Sequence, residues 1–262
     1  MVMPTALLDV SDLSLAFGSV IAFEDVSFTV DAGELMALIG PNGAGKSSIF
    51  NVLSRIYRPS RGTVTFGGDD LLRCPPRQLA GLGIARSFQN LALFRTMSVL
   101  ENVLLGRHHL MRAGVLRAGL YAGPARAEEH IHRDAALASL EFLGVAHLAH
   151  ASVGTLPYGL QKRVELARCL AMEPRLLLLD EPVAGMGARE REQITDLVRR
   201  IHAERGLTVL LVEHDMGMVM SVAQRVMVLD FGRVIAVGPP DAIQHNDDVL
   251  RAYLGAPKGA VA

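Results

Sequence analysis

Apolar residues follow two distinct patterns along the chain, and each pattern predicts a different kind of strand. Apolar and polar residues alternate in LLDVSDLSLAF, EDVSFTV and GTVTFGG, which predicts half-buried strands joined by turns around Gly18 and Gly33. Uninterrupted apolar runs occur in LMALIG, RLLLLD, TVLLVEH and RVMVLD, as is typical of parallel strands that helices cover on both faces. The chain is therefore expected to combine an antiparallel sheet with a doubly wound α/β core.

A stretch with helical patterns, from about Leu91 to Thr155, separates the two groups of strands. Ser98 and Glu101 form the S-x-x-E pattern of a capping box at the start of VLENVLLG, and the segment ARAEEHIHRDAALASLEFLG has helical periodicity. We interpret this stretch as a helical subdomain inserted into the core.

Length and composition narrow the class of protein. The 262 residues can bury a large core, and no window offers the roughly 18 uninterrupted apolar residues of a membrane-spanning helix. The start, MVMPTALLDVSD, has neither a basic region nor a small-residue cleavage site, so we expect a soluble chain that stays in the cytoplasm. Cys74 and Cys169 lie far apart without a CxxC pattern, which argues against disulfides and zinc. A net charge of −1 gives no electrostatic footprint for nucleic acid.

A glycine-rich segment, GPNGAGKSS, follows the predicted strand LMALI and precedes the predicted helix SSIFNVLSRI. It fits G-x-x-x-x-G-K-[ST], in which backbone N–H groups face phosphate oxygens, the lysine reaches the β- and γ-phosphates and the hydroxyl binds Mg²⁺. The alternative is a glycine-rich turn with a surface lysine, which the flanking strand and helix disfavour. The predicted nucleotide-binding residues here are Gly40, Asn42, Gly43, Gly45, Lys46, Ser47 and Ser48.

Two acidic residues follow the apolar run of RLLLLDEP, at the end of a strand where α/β sheets bind ligands. We expect Asp180 to hold Mg²⁺, directly or through water, and Glu181 to polarise the water that attacks the γ-phosphate. A lone Asp-Glu pair after a strand is often just a polar edge, but the phosphate-binding loop strengthens the functional interpretation.

With these motifs the chain resembles the ATP-binding subunits of ABC transporters over nearly its whole length. The resemblance implies an α/β fold: a P-loop NTPase (RecA-like) core with an N-terminal antiparallel β subdomain and an inserted α-helical subdomain. Gln89 in ARSFQN resembles the family's Q-loop glutamine near Mg²⁺ and the attacking water, and His214 in LLVEHDM resembles its switch histidine at the γ-phosphate. Phe17 lies where a family aromatic ring stacks on adenine. The implied catalytic residues are Glu181, His214 and Gln89, and the implied metal-site residues are Ser47, Gln89 and Asp180.

Within this family, ARSFQNLALFRTMSVLENVLLG, LPYGLQKRVELARCLA, HHLMRAGVLRAGLYAGP and DDVLRAYLG are similar to the LivG-like branch of branched-chain amino acid importers. This resemblance implies ATP and Mg²⁺ as cofactors and a peripheral position on the cytoplasmic face of the inner membrane. The implied partners are two membrane permease subunits, a second ABC ATPase subunit in a heterodimer, with a homodimer as the alternative, and indirectly a solute-binding protein. No nucleic acid is expected as a partner.

The chain departs from the family pattern in two places. The family signature, typically L-S-G-G-Q, starts a helix whose N-terminus faces the γ-phosphate held by the other subunit of a head-to-tail dimer. Residues 156–160 read LPYGL, so the serine is absent, and the N–H of Gly159 and the helix dipole are expected to face the phosphate. Gly187 stands where the family usually has Asp. Both departures lie in elements that act on the partner's nucleotide.

The resemblance also divides the chain into four parts. They are residues 1–90 (β subdomain and first part of the ATPase core), 91–155 (helical subdomain), 156–238 (signature helix and second part of the core) and 239–262 (C-terminal helices and tail).

Two other functions stay open besides transport. One is a non-transport ABC ATPase that acts as an ATP-driven clamp, and the other is a nucleotide-dependent scaffold with negligible turnover.

Overall fold

The computed structural model describes residues 6–89, 91–111 and 124–254 of the chain. Its first sheet contains β1 (Ala6–Phe17), β2 (Val20–Asp31), β4 (Arg61–Phe66) and β5 (Asp69–Asp70). The strands lie in the order β2-β1-β4-β5, and all neighbours are antiparallel, as the alternating segments predict. Gly18 closes the β1–β2 hairpin at φ +60°, a conformation that costs glycine little.

The alternation in β1 is interrupted by a bulge that the sequence pattern did not reveal. Leu8 and Val10 are buried before the break, whereas Leu13 and Leu15 are buried after it, so the inward face changes from even to odd positions. The pairing register with β2 shifts between Val10 and Leu13, and Asp12 lies there at φ +51°. The extra residue keeps apolar side chains on the core face along the whole strand.

The second sheet contains β3 (Leu35–Ile39), β6 (Ile84–Arg86), β7 (Leu176–Asp180), β8 (Thr208–Val212), β9 (Arg225–Asp230) and β10 (Arg233–Gly238). Its order is β10-β9-β3-β8-β7-β6, with parallel pairing except between β9 and the edge strand β10. Every residue of β3, β7 and β8 is buried, which explains their uninterrupted apolar runs. The short β6 and the edge strand β10 were not among the strands predicted from the sequence.

Two apolar clusters cover the two faces of this sheet. Met36 and Leu38 of β3 face a cluster shared with the antiparallel sheet, which also contains Phe50. Leu35 and Ala37 face the opposite cluster, which is built mainly with helices. The central sheet therefore lies between a helical layer on one side and, on the other, a layer that the antiparallel sheet shares with the helix carrying Phe50, whereas the apolar runs predicted helices on both faces.

Nine α-helices lie within the described residues. None of them combines the length and apolar character that crossing a membrane requires. They are α1 (Lys46–Leu53), α2 (Leu79–Leu82), α3 (Val99–Gly106), α4 (Pro124–Phe142), α5 (Tyr158–Ala171), α6 (Ala188–Arg205), α7 (Met216–Val222), α8 (Pro240–Gln244) and α9 (Asp247–Leu254).

The predicted capping box at the start of α3 is confirmed. The Ser98 hydroxyl accepts a hydrogen bond from the Glu101 N–H, and the Glu101 carboxylate accepts one from the Ser98 N–H. The same hydroxyl lowers the pKa of Glu101 by donating a hydrogen bond to its carboxylate. α3 packs against α4 and α5. Much of the segment HHLMRAGVLRAGLYAGP, residues 112–123, lies outside the described residues, as do residues 255–262 of the predicted tail.

Backbone conformation sets two helix boundaries, and the first of them corrects a prediction. The helix after the glycine-rich segment ends at Leu53 instead of continuing to Ile56, because Arg55 adopts φ +59° and the Ile56 N–H bonds back to the Asn51 carbonyl. The signature helix begins at Tyr158, since Pro157 has extended ψ and serves as its N-cap. Proline tolerates this position because it has no N–H to leave unpaired.

Candidate active site

The glycine-rich loop connects the carboxyl end of β3 to the N-terminus of α1. A Cβ on Gly40 would lie 2.0 Å from the Leu229 carbonyl oxygen, and one on Gly45 would lie 2.5 Å from the Ala22 carbonyl oxygen. Both glycines also have positive φ, so side chains are excluded by contact and by conformation. The loop borders a cavity of about 210 Å³ whose lining includes Asn42, Gly43, Gly45, Lys46, Ser47, Ser48 and Glu181.

Lys46 is folded onto the loop that precedes it. Its Nζ donates hydrogen bonds to the carbonyl oxygens of Gly40 at 2.7 Å and Pro41 at 2.9 Å. Burial lowers the pKa of Lys46, while the nearby carboxylates of Glu181 and Asp180 act in the opposite direction. The ammonium group therefore borders the cavity with two carbonyl partners that a phosphate oxygen could replace.

Asp180 ends β7 beside a second cavity, of about 340 Å³, that Ser47 and Gln89 also line. Its Oδ2 accepts a hydrogen bond from Arg86 Nη2 at 2.7 Å, and both side chains are largely buried. The backbone N–H of Asp180 also lies 3.4 Å from the Ser87 hydroxyl on the neighbouring strand end. The three predicted metal-site residues thus share one cavity, together with an arginine that the sequence analysis did not select.

Glu181 lies at the centre of the predicted catalytic residues. Its Oε2 accepts a hydrogen bond from Gln89 Nε2 at 2.8 Å and lies 4.0 Å from His214 Nδ1. The backbone of Glu181 adopts φ +46°, which is uncommon for a residue with a side chain and turns the chain sharply after β7. The structure therefore brings together three residues that are far apart in sequence.

Glu213, which the sequence analysis missed, links the two loops that carry Glu181 and His214. Its fully buried carboxylate accepts hydrogen bonds from the backbone N–H groups of Val183, His214 and Asp215. It lies directly after β8 and directly before His214. A glutamate after an uninterrupted apolar strand is the signal that could have identified it, because a buried carboxylate requires partners.

Phe17 and Gly159 do not line either cavity. Phe17 ends β1 with its ring about half exposed, and the ring makes an edge contact with Tyr57 at 5.1 Å between centroids. Gly159 lies in the first turn of α5, where a Cβ would be 3.0 Å from Glu190 Oε1. Within one chain the α5 N-terminus therefore faces a carboxylate, an arrangement that the helix dipole favours.

A buried ion pair on α5 holds the segment that carries Gln89. Lys162 and Glu165 are fully buried and 2.8 Å apart. The Lys162 ammonium donates to the Phe88 carbonyl at 3.1 Å, and Glu165 Oε1 accepts from the Phe88 N–H at 3.1 Å. The backbone N–H and C=O groups of Phe88 are thus both hydrogen-bonded to this pair. These bonds attach α5, the signature helix, to the segment whose Gln89 contacts Glu181.

Glu165→Gln is expected to destabilise the fold. It keeps an acceptor for the Phe88 N–H but leaves the Lys162 ammonium buried without its carboxylate, which costs about 3–5 kcal/mol in comparable pairs. Chemical denaturation of the isolated chain measures the free energy of unfolding. The matched control is Glu192→Gln on the exposed surface of α6, which should change stability by less than about 0.5 kcal/mol. A loss at Glu165 as small as that of the control would refute the structural role of the pair.

The site fits a nucleotide with a bound Mg²⁺. The glycine loop can present N–H groups, Lys46 supplies a cation, and Ser47 and Asp180 supply the hard oxygen ligands that Mg²⁺ prefers. Among the residues that the structure describes, no group of three or more His, Cys, Asp or Glu side chains could hold a metal by itself. Magnesium commonly completes such incomplete sites with substrate phosphates and water.

Comparisons with known proteins agree with this geometry. Residues 23–184 match the family model described as ABC transporter, and residues 233–258 match the model described as branched-chain amino acid ATP-binding cassette transporter. Two solved structures are also similar over 96% of this chain and all of theirs, each at 30% identity. One is a nucleotide-free ATP-binding cassette of an ABC transporter, with a TM-score of 0.82, and the other is a cassette in its ADP conformation, with a TM-score of 0.81.

Curated relatives resemble the chain along almost its whole length. The high-affinity branched-chain amino acid transport ATP-binding protein BraF of Pseudomonas aeruginosa is 39% identical over 254 residues, which cover 97% of this chain and 99% of that protein. LivG of Escherichia coli is 38% identical with the same coverage of both chains. The chain therefore belongs to the ABC transporter family, as one of its ATP-binding and ATP-hydrolysing cassettes.

Proposed function

We propose that this chain hydrolyses ATP to drive the import of branched-chain amino acids or related small solutes. The observation that carries the proposal is its end-to-end similarity to ATP-binding proteins of high-affinity branched-chain amino acid transport. The match of the C-terminal residues 233–258 to a branched-chain amino acid cassette model supports the same assignment. No residue of this chain contacts the solute in the proposed assembly, so specificity resides in its partners.

We assign nucleotide binding to the glycine loop and the residues around it. The N–H groups between Gly40 and Gly45 and the Lys46 ammonium hold the phosphates, and Asn42, Gly43 and Ser48 complete the loop. The half-exposed ring of Phe17 stacks on adenine. Ser47 and Asp180, with Gln89 beside them, would hold Mg²⁺, which would neutralise phosphate charge.

The hydrolytic step is assigned to Glu181. Its carboxylate orients the attacking water and takes up a proton from it, and the hydrogen bond from Gln89 at 2.8 Å holds the carboxylate towards the cavity. His214, 4.0 Å from the same oxygen, is placed to contact the γ-phosphate. Because Gln89 directly follows Phe88 in the chain, a displacement of the backbone at Phe88 also moves Gln89, which donates the hydrogen bond to Glu181.

A groove beside this segment is the proposed docking site for a permease subunit. It encloses about 490 Å³ between the ATPase core and the proposed helical subdomain, residues 91–155. Arg86 and Phe88 line both this groove and the cavity beside Asp180, so the two spaces share a wall. Its apolar lining residues are Ile56, Pro76, Leu79, Ala80, Ile84, Phe88, Leu105, Cys169 and Met172, and Arg86, Arg168, His108 and His109 also line it. An apolar segment exposed by a membrane subunit fits this lining.

We propose a head-to-tail heterodimer with a second ATPase subunit, bound to two permeases on the cytoplasmic face of the membrane. The residues assigned to this chain's own nucleotide are complete, whereas the elements facing the partner's nucleotide carry Pro157, Tyr158 and Gly187. The Gly159 N–H and the α5 dipole then act on the partner's phosphate without a serine hydroxyl. This chain's own site is consequently the stronger hydrolase of the two. A solute-binding protein contacts the permeases rather than this chain.

The docking proposal predicts that Leu105→Glu releases the chain from its permeases. The substitution puts a charge into the groove, and recovery of this chain with the tagged permease pair should fall by about tenfold or more. Binding of fluorescent ATP should persist, since Leu105 lies outside both nucleotide cavities.

The matched control is Ile131→Glu, on an exposed position of α4 outside the groove. Its recovery with the permeases should equal that of the wild type. Equal recovery of Leu105→Glu would exclude the groove as the docking site. Failure of the wild-type chain to copurify with any permease, combined with ATP-driven dimerisation alone, would favour the clamp function instead.

A further inference from the structure

Arg86 is a buried cation bound to the residue proposed to hold the metal. Its Nη2 lies 2.7 Å from Asp180 Oδ2, and its Nη1 donates to Asn51 Oδ1 and Ser54 Oγ, each at 2.9 Å. The guanidinium also lies 5.0 Å from the centroid of the Phe88 ring. Its Nε is buried without a hydrogen-bond partner among the residues that the structure describes. Such a desolvated charge needs a counter-charge, and Asp180 provides it.

Asp180 needs a cation in the same way. Its side chain is 6% exposed, and a carboxylate buried to that extent is costly unless it is paired. Lys46, the other cation of the site, directs its hydrogen bonds to the carbonyls of Gly40 and Pro41. Arg86 therefore satisfies the Asp180 charge in the structure.

We propose that Arg86 is a stand-in cation that occupies the Asp180 carboxylate in the metal-free chain and competes with Mg²⁺ for it. The inference rests on the proposed role of Asp180 as a metal-site residue. A divalent ion and a guanidinium next to the same carboxylate repel each other, so one weakens the binding of the other. Nucleotide phosphates bring additional negative charge, which favours the metal over Arg86. In this role Arg86 acts through Asp180 and weakens metal binding until nucleotide binds.

The test measures Mn²⁺ binding to the nucleotide-free full-length chain, from the electron paramagnetic resonance signal of the free ion. Arg86→Met should tighten Mn²⁺ binding by about tenfold or more, as expected when a charge-assisted contact no longer competes. Arg86→Lys keeps the charge but cannot bridge Asp180, Asn51 and Ser54 together, so its affinity should lie between the two. If the methionine variant does not fold, the lysine variant alone carries the test.

The matched control is Arg175→Met at the amino end of β7. Arg175 also stacks on a phenylalanine, 5.2 Å from the Phe66 centroid, but it lies at the opposite end of the strand from Asp180. This control should bind Mn²⁺ like the wild type. A purely structural role for Arg86 would lower stability and leave Mn²⁺ affinity unchanged.

Fluorescent ADP binding, measured in EDTA on separate Mn²⁺-free aliquots of the same variants, separates this inference from the proposed function. Unchanged or weaker Mn²⁺ binding by the Arg86 variants, with ADP binding intact, overturns the stand-in role alone. If the wild-type chain does not bind ADP, both the nucleotide site and the stand-in role are overturned. Tighter Mn²⁺ binding at Arg86 but not at Arg175, with ADP binding intact, supports the inference.

Discussion

Glu181→Gln is expected to reduce ATP turnover of the assembled transporter by about 10²–10⁴-fold while ATP binding persists. Glutamine keeps the shape of the side chain but cannot take a proton from water. Lys46 and the glycine loop, which hold the phosphates in our proposal, are unchanged. Phosphate release measures turnover, and titration with a fluorescent ATP analogue measures affinity. Wild-type turnover by the variant would remove Glu181 from its assigned role.

The same substitution in the partner ATPase subunit is the matched control for Glu181. Loss of one hydroxyl contact to a charged phosphate is worth about 1.5–3 kcal/mol, so the partner's site, which faces Pro157 and Tyr158, should contribute less to total turnover. Glu181→Gln should therefore cause the larger loss. Equal losses of ATP turnover from the two substitutions would contradict the proposed asymmetry. They would indicate that Gly159 and the helix dipole bind the partner's phosphate well enough without a serine.

Lys46→Ala is expected to weaken ATP binding itself, by about 10- to 100-fold, because the phosphates lose their main side-chain cation. Among the described residues, Lys46 Nζ donates hydrogen bonds to two carbonyl oxygens, at 2.7 and 2.9 Å, so phosphate oxygens can replace them without breaking an ion pair. Fluorescence titration of the isolated chain gives the affinity.

Arg58→Ala provides the control for Lys46. Arg58 is an exposed cation a few residues beyond α1, and its removal changes the net charge by the same amount. Affinity should then stay near the wild-type value. ATP binding by Lys46→Ala that is as tight as the wild type would contradict the assignment of this lysine to the phosphates.

Local sequence patterns predicted much of the fold because burial within a strand and helix capping depend on residues that are close together in sequence. The fully buried strands β3, β7 and β8 were recognisable from apolar runs, and the capping box of Ser98 and Glu101 acts over three residues. The glycine loop was also predictable, since Gly40 and Gly45 occupy positions that exclude any side chain. The family resemblance then pointed to Gln89 and His214 as candidate site residues, which no local pattern distinguishes from ordinary polar residues.

The contacts that support the site could not be predicted from local patterns. Arg86 meets Asp180 only because the three-residue strand β6 pairs with β7, although 94 residues separate the two side chains in sequence. Glu165 looks like a polar position of an amphipathic helix, yet it is fully buried against Phe88. Such residues are polar, yet they are buried and depend on specific polar partners. Only the tertiary fold reveals which partners satisfy them.

The end of α1 and the bulge in β1 were not predicted correctly, for a related reason. Arg55 and Asp12 adopt left-handed conformations that a sequence pattern does not announce, and they end α1 and interrupt β1. In both cases backbone hydrogen bonding and the need to keep apolar side chains inward decide the local geometry.

The most direct test of the account is ATP-driven uptake of labelled leucine into vesicles. The vesicles contain the two permeases and the second ATPase subunit, with binding protein added outside and ATP enclosed. The account predicts uptake with the wild-type chain, and uptake reduced by about 10²–10⁴-fold with Glu181→Gln, in parallel with ATP turnover. Leucine uptake that continues at the wild-type rate with Glu181→Gln, or that is absent with a wild-type chain hydrolysing ATP in the same vesicles, would contradict it.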